Sequence, residues 1–114
     1  MALIREKDIL QNLLSQKDKT VSVTNPSTII TGKKTANAGE ETKLTIGSGV
    51  LTVGVTVKAL STNTGLVYIG PSTVDFATGF QLSAGDQIFI PVDNVSAIYL
   101  DPAVTGEGVT YIGN

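Results

Sequence analysis

The sequence predicts a small, mostly β domain, an antiparallel sandwich or barrel, with one short α-helix at its N-terminus. Three patterns predict it. Apolar side chains fall at every second position through Leu51, Val53, Val55, Val57 and Ala59, as a strand with one buried face requires. Short runs rich in Val, Ile and Thr alternate with Gly, Pro and Asn turn signals over most of the chain. Only the first segment repeats its apolar residues at mixed three- and four-residue spacing.

That segment, residues 1–19, reads as a helical arm. Leu3, Ile4, Ile9, Leu10, Leu13 and Leu14 form the apolar stripe, with Arg5, Glu6, Lys7, Asp8, Gln11 and Asn12 between them. It contains neither Gly nor Pro, and Lys17, Asp18 and Lys19 end it. A helix shorter than ~15 residues is marginal alone in water, so the stripe must dock on something. Its own sheet and a partner subunit are the two options. For a partner contact the candidate residues are Ile4, Ile9, Leu10, Leu13 and Leu14.

Residues 20–114 then read as the β domain. Thr20-Val21-Ser22-Val23 alternates, Asn25-Pro26 turns, and Thr28-Ile29-Ile30-Thr31 is a strand before Gly32. Lys33 to Glu41 is polar and expected to be a loop, which makes Lys33 and Lys34 a second candidate contact. Lys43-Leu44-Thr45-Ile46 resumes the alternation, and Ile46-Gly47-Ser48-Gly49 is expected to be a hairpin turn. In the long run from Leu51 to Ala59, Gly54 marks a bulge or a close backbone approach.

Further strands are predicted at Leu66–Ile69, Gly79–Leu82, Gln87–Val92, Ala97–Leu100 and Val109–Ile112. Turns at Thr62–Gly65, Gly70-Pro71, Ala84–Asp86, Asp93-Asn94 and Gly106–Gly108 separate them. Ile88, Ile90 and Val92 face inward, and Pro91, which cannot donate to a ladder, puts its strand at an edge or bulge. Tyr68, Tyr99 and Tyr111 each sit among aliphatic neighbours and are expected to point away from the core. Such a row would be a binding face or ordinary strand-face tyrosine.

Composition fits one domain. With 114 residues, 41% hydrophobic, only 5% aromatic and no Trp, the core must be aliphatic. Charged residues make up 16%, below the ~25% usual for soluble domains, which suits a surface covered by neighbours. All eight bases lie in the first 58 positions with five acids, giving +3, while the rest has five acids and no base, giving −5. If the halves separate in space the molecule is polar; if their strands intermix the dipole averages out. No stretch approaches the ~18 apolar residues of a membrane span, and the charged start lacks a signal-peptide core. The expectation is a soluble chain made in the cytoplasm, with no membrane partner.

Catalytic chemistry is hard to assemble here. There is no His and no Cys, which removes the usual neutral-pH base, the common nucleophiles and most transition-metal sites. The acids are single and sit in turn-like contexts such as Gly85-Asp86, Asp93-Asn94 and Leu100-Asp101-Pro102. No glycine-rich stretch has the form of a nucleotide loop, and no acids cluster as a calcium loop needs. Basic residues form no dense patch, so nucleic acid is not an expected partner. No enzyme and no cofactor is predicted.

The half from about residue 50 to 114 carries a resemblance. Its segments are Val57–Gly70, Gly79–Leu82, Ala84–Ile88, Val92–Leu100 and Gly106–Ile112. Together they resemble a small β module of tailed-bacteriophage virion proteins, of the head-decoration and fibre type. The resemblance implies an accessory virion protein, foremost a capsid decoration protein that binds and stabilises the assembled shell. It also implies capsid or other virion proteins as partners, a homo-oligomer such as a trimer, and location in the virion. A tail or fibre module that binds host-surface carbohydrate, and a β-sandwich interaction domain unrelated to phage, are the alternatives.

Overall fold

The computed structural model of the chain describes residues 27–45, 47 and 49–114. The predicted helical arm with Ile4, Ile9, Leu10, Leu13 and Leu14, and the predicted strand at Thr20–Val23, lie outside the described residues. Two residues of the predicted Ile46–Gly49 turn lie outside them as well.

Eight strands are described: β1 (Ile30–Thr35), β2 (Thr42–Lys43), β3 (Val55–Ala59), β4 (Val67–Gly70), β5 (Phe80–Leu82), β6 (Gln87–Ile90), β7 (Tyr99–Pro102) and β8 (Gly108–Gly113). They form two four-stranded antiparallel sheets, sheet A in the order β1-β8-β3-β6 and sheet B in the order β2-β7-β4-β5. Only β4 and β5 are consecutive in the chain and adjacent in a sheet. Every other connection crosses from one sheet to the other. The basic and acidic halves therefore interleave within each sheet, the second of the two arrangements the sequence left open.

The two inner faces share one aliphatic core. Val55, Val57, Ala59 and Val109 of sheet A meet Val67, Ile69, Leu82 and Leu100 of sheet B, with Leu44, Leu51, Val95 and Ile98 from the connections. The pattern in β3, with Val55, Val57 and Ala59 buried and Lys58 exposed, is the period-two alternation the sequence carries. Val95 begins a single 3-10 turn, Val95–Ala97, capped by the Asn94 side chain accepting from Ser96 N–H at 2.9 Å.

Five expectations need correction. The run from Leu51 to Ala59 is a strand only from Val55 onward. The N–H groups of Thr52, Val53 and Gly54 all donate to the Asn114 carbonyl, and Val53 is exposed. Gly54 is the cause: it has φ +152°, and a Cβ there would lie 2.6 Å from the Ile90 carbonyl and 2.9 Å from Pro91 Cα. The close approach expected at this glycine is real, and it bends the chain out of the ladder.

Lys33 and Lys34 are the second correction, since the polar run forms a loop only after Thr35. Strand β1 continues through Gly32 because the Tyr111 ring of β8 lies over that glycine, where a Cβ would overlap it. Tyr111 is thus the third: it packs against the core, and Ile112 is the residue that faces outward. The fourth concerns Asp101, which belongs to strand β7 and is buried. The fifth is partial: strand β6 lies at an edge as Pro91 implies, but it ends at Ile90, so Pro91 and Val92 fall outside the predicted Gln87–Val92 strand.

Candidate functional site

The outer face of sheet A is built by register. Thr31, Ile112, Thr56 and Phe89 lie in one row across β1, β8, β3 and β6, and Lys33, Thr110, Lys58 and Gln87 lie in the next. Ile112 and Phe89 are each 52% exposed. The four strands contain Lys33, Lys34 and Lys58 and no acidic residue. Lys33 and Lys58 flank Thr110, so their strands stand roughly 10 Å apart at ~4.8 Å per strand spacing. The face presents Lys33 and Lys58 with large apolar side chains, Ile112 on a central strand and Phe89 on an edge strand.

Lys34 lies on the opposite, inner side of edge strand β1 and is half-buried. An inward-pointing lysine on an edge strand opposes pairing with another strand. Contact through the face is therefore favoured over extension at the β1 edge.

Of the phenylalanines only Phe89 lies on this face; Phe80 is on strand β5 of sheet B and Phe76 is in the β4–β5 connection. The chain has three, Phe76, Phe80 and Phe89, and all are exposed. Aliphatic residues fill the core completely, so the aromatic side chains with most to gain from burial are left outside. An exposed large apolar residue is informative where several share a surface.

A second surface lies over sheet B. Tyr68 of β4 is paired with Asp101 of β7, and Gly70 with Tyr99, so these residues share the outer face. Lys43 of β2 is the ladder partner of Tyr99, and its Nζ lies 5.8 Å from the ring centroid. Over Tyr68 and Asp101 is a cleft of about 330 Å³. One wall is the loop after β1, at Ala38 and Gly39. The other includes Phe76 from the β4–β5 connection, with Pro102 and Ala103 at the end of β7.

Both walls are pinned. Gly39 N–H donates to Asp101 Oδ1 at 2.9 Å, and Ala38 N–H donates to the Thr105 hydroxyl at 3.1 Å. On the other side Val74 is buried, and Asp75 Oδ1 accepts from the N–H groups of Ala77 and Thr78 and from the Thr78 hydroxyl, all at 2.9 Å. The Thr78 hydroxyl and N–H hold the Asp75 carboxyl below the usual carboxylate range. Between these anchors Phe76 is presented 74% exposed. Asp101 itself is only 5% exposed. Its Oδ2 takes no hydrogen bond from any described residue, and no fully buried side-chain oxygen among the described residues lacks a partner. Oδ2 therefore keeps some exposure, and Asp101 lines the cleft.

A third polar cluster is structural. Glu107 accepts from Gly65 N–H at 2.9 Å and from the N–H and hydroxyl of Thr64 at 2.6 and 3.0 Å. These donors, the Gly65 N–H first, lower its pKa. They tie the turn before β4 to the turn before β8.

Among the sequence-predicted contacts, Lys33 is on the outer face of sheet A and Lys34 on its inner side, while the apolar stripe falls outside the described residues. Sequence reasoning missed Phe89, Ile112, Phe76 and Asp101. An Asp inside a run of otherwise good strand residues was the available signal for the last, because strands disfavour Asp. Among the described residues no group of three His, Cys, Asp or Glu could hold a metal ion, and no helix is long and apolar enough to cross a membrane. In comparison with known proteins, the chain matches no family model and no curated protein.

Proposed function

We propose that this chain is a non-catalytic virion structural protein, a head-decoration module that docks on an assembled protein shell through the outer face of sheet A. One observation carries the proposal: Ile112 and Phe89 stand exposed on a four-stranded face that also presents Lys33 and Lys58, and its strands hold no acid. An apolar centre with a charged surround is the composition of a protein contact, and a basic face favours an acidic lattice. The resemblance of residues 50–114 to phage virion modules supports the same partner. Each contact need only be of ordinary size, ~1,600 Å² in total, because a symmetric lattice repeats it and multivalent linkage adds to it. The predicted helical arm, with Ile4, Ile9, Leu10, Leu13 and Leu14, would add a second contact to the shell or to a neighbouring copy. A carbohydrate-binding fibre module is less well supported, because Tyr111 turns inward and the three tyrosines do not form one row.

Co-sedimentation of the purified chain with undecorated heads of its phage tests this. The wild-type chain should saturate the shells, and Phe89→Asp with Ile112→Asp should abolish binding while leaving the circular dichroism spectrum unchanged. Equal binding by the double variant would refute the proposed face.

A further inference from the structure

We infer that the cleft over β4 and β7 is a binding site for an organic cation, an ammonium or guanidinium group carried on an alkyl stem. The site is on sheet B, so it stands apart from the proposed shell contact on sheet A and does not depend on it. Asp101 lines the cleft, more than nine-tenths buried, with one carboxylate oxygen held by Gly39 N–H and the other taking no hydrogen bond from any described residue. A carboxylate so far removed from water is costly unless an opposite charge or further donors satisfy it. Among the described residues no lysine or arginine lines the cleft to do so.

The neighbours of Asp101 select the ligand. Tyr68 and Phe76 bring aromatic rings whose faces carry negative electrostatic potential, which attracts cations within ~6 Å of the ring centre. Ala38, Pro102 and Ala103 supply an apolar wall for an alkyl stem. An anion is repelled by Asp101, and a purely apolar molecule would give its second oxygen no partner. A sugar needs donors as well as acceptors. Among the lining side chains only Tyr68 carries one, and the Gly39 N–H already donates to Asp101. The volume, about 330 Å³, is at the small end of ligand pockets, typically ~300–1,000 Å³, and suits a single cationic head group. The anchored loops on both sides leave little ordering for binding to complete.

Two-dimensional NMR titration of the full chain tests the site. Choline and n-butylammonium represent free small cations; the N-acetyl methylamides of lysine and arginine represent a cation borne on a peptide. The neutral carbon isostere of choline and methyl glucoside are controls. At least one cation should give saturable shifts centred on Tyr68, Phe76 and Asp101, with the preferred group of probes identifying the source. The isostere should bind about tenfold more weakly or worse. Asp101→Asn should lower cation affinity by about tenfold or more, as loss of a charge-assisted contact does, and Phe76→Ala by about fivefold. Because Phe76 is exposed, its replacement keeps the test standing if Asp101→Asn weakens the fold. No saturable shift with any cation, equal binding of the isostere or the glucoside, or unchanged affinity in Phe76→Ala would overturn the inference.

Discussion

Replacing Asn63 with Ala should destabilise the domain far more than its place in a turn suggests. The side chain is 9% exposed and reaches across 45 residues to β8. Its Nδ2–H donates to the Gly108 carbonyl at 2.9 Å, and its Oδ1 accepts from Gly108 N–H at 3.4 Å. The side-chain amide thus acts as one more rung of ladder at the start of β8. Here β8 lies hard against β1, where a Cβ on Gly108 would overlap the Lys34 carbonyl. In the variant the Gly108 carbonyl keeps the Leu60 N–H at 3.1 Å, so the main loss is the short bond from Nδ2–H and the partner of the Gly108 N–H. A buried group left unpaired costs ~1–3 kcal/mol. At ~4–8 °C per kcal/mol for a domain of this size, about 2 kcal/mol lowers Tm by roughly 8–16 °C. Differential scanning calorimetry gives the shift directly, and urea unfolding should show a lower midpoint with an unchanged slope. A Tm within ~2 °C of the parent, equivalent to less than ~0.5 kcal/mol, would refute this account of Asn63.

Two further outcomes follow from packing and charge. Gly32→Val places a branched side chain where the Tyr111 ring lies and should cost ~1–3 kcal/mol as overpacking. Gly32→Val combined with Tyr111→Ala should recover part of the loss, and a double-mutant cycle with no coupling would contradict the contact. Acidification gives the other test. Glu107 and Asp75 both have carboxyls lowered by their hydrogen bonds in the folded state. Their contribution is therefore fully present above the ordinary carboxylate pKa of ~4 and is lost as pH falls through the lower, folded-state values. Tm should fall below about pH 4, and Glu107→Gln with Asp75→Asn should lower Tm near neutrality while flattening that acid slope. An identical slope in the double variant would show that these two carboxylates carry none of it.

Much of the sheet architecture was legible in the chain, and particular residues show why the rest was not. The alternation at Val55, Val57 and Ala59 reports a buried face directly, because period-two patterning and burial have the same cause. Pro91 marks an edge for the equally local reason that it lacks an N–H. The Ala84–Asp86 turn is real, with Gly85 at φ +84° and Asp86 N–H donating to the Ser83 carbonyl. Gly32 and Gly54 carry the same letter and opposite outcomes. Tyr111 covers the first and lets β1 continue, whereas the β6 backbone presses on the second and ends the ladder. Both depend on strands about 80 and 36 residues away in sequence, beyond the reach of local propensity. The cleft was illegible for the same reason: Gly39 and Asp101 are 62 residues apart, and only the crossing of the chain between sheets brings the loop after β1 to strand β7. A shell as partner is an expectation carried by the resemblance alone, while the face proposed to meet it, with Phe89 and Ile112, emerges only from register.

Electron cryomicroscopy of heads incubated with the purified chain tests the docking face most directly. The density should seat sheet A against the shell, with Phe89 and Ile112 buried, Lys33 and Lys58 at the rim, and the sheet B cleft open to solvent. Particles without added density, or a chain bound with the sheet A face turned to solvent, would contradict it.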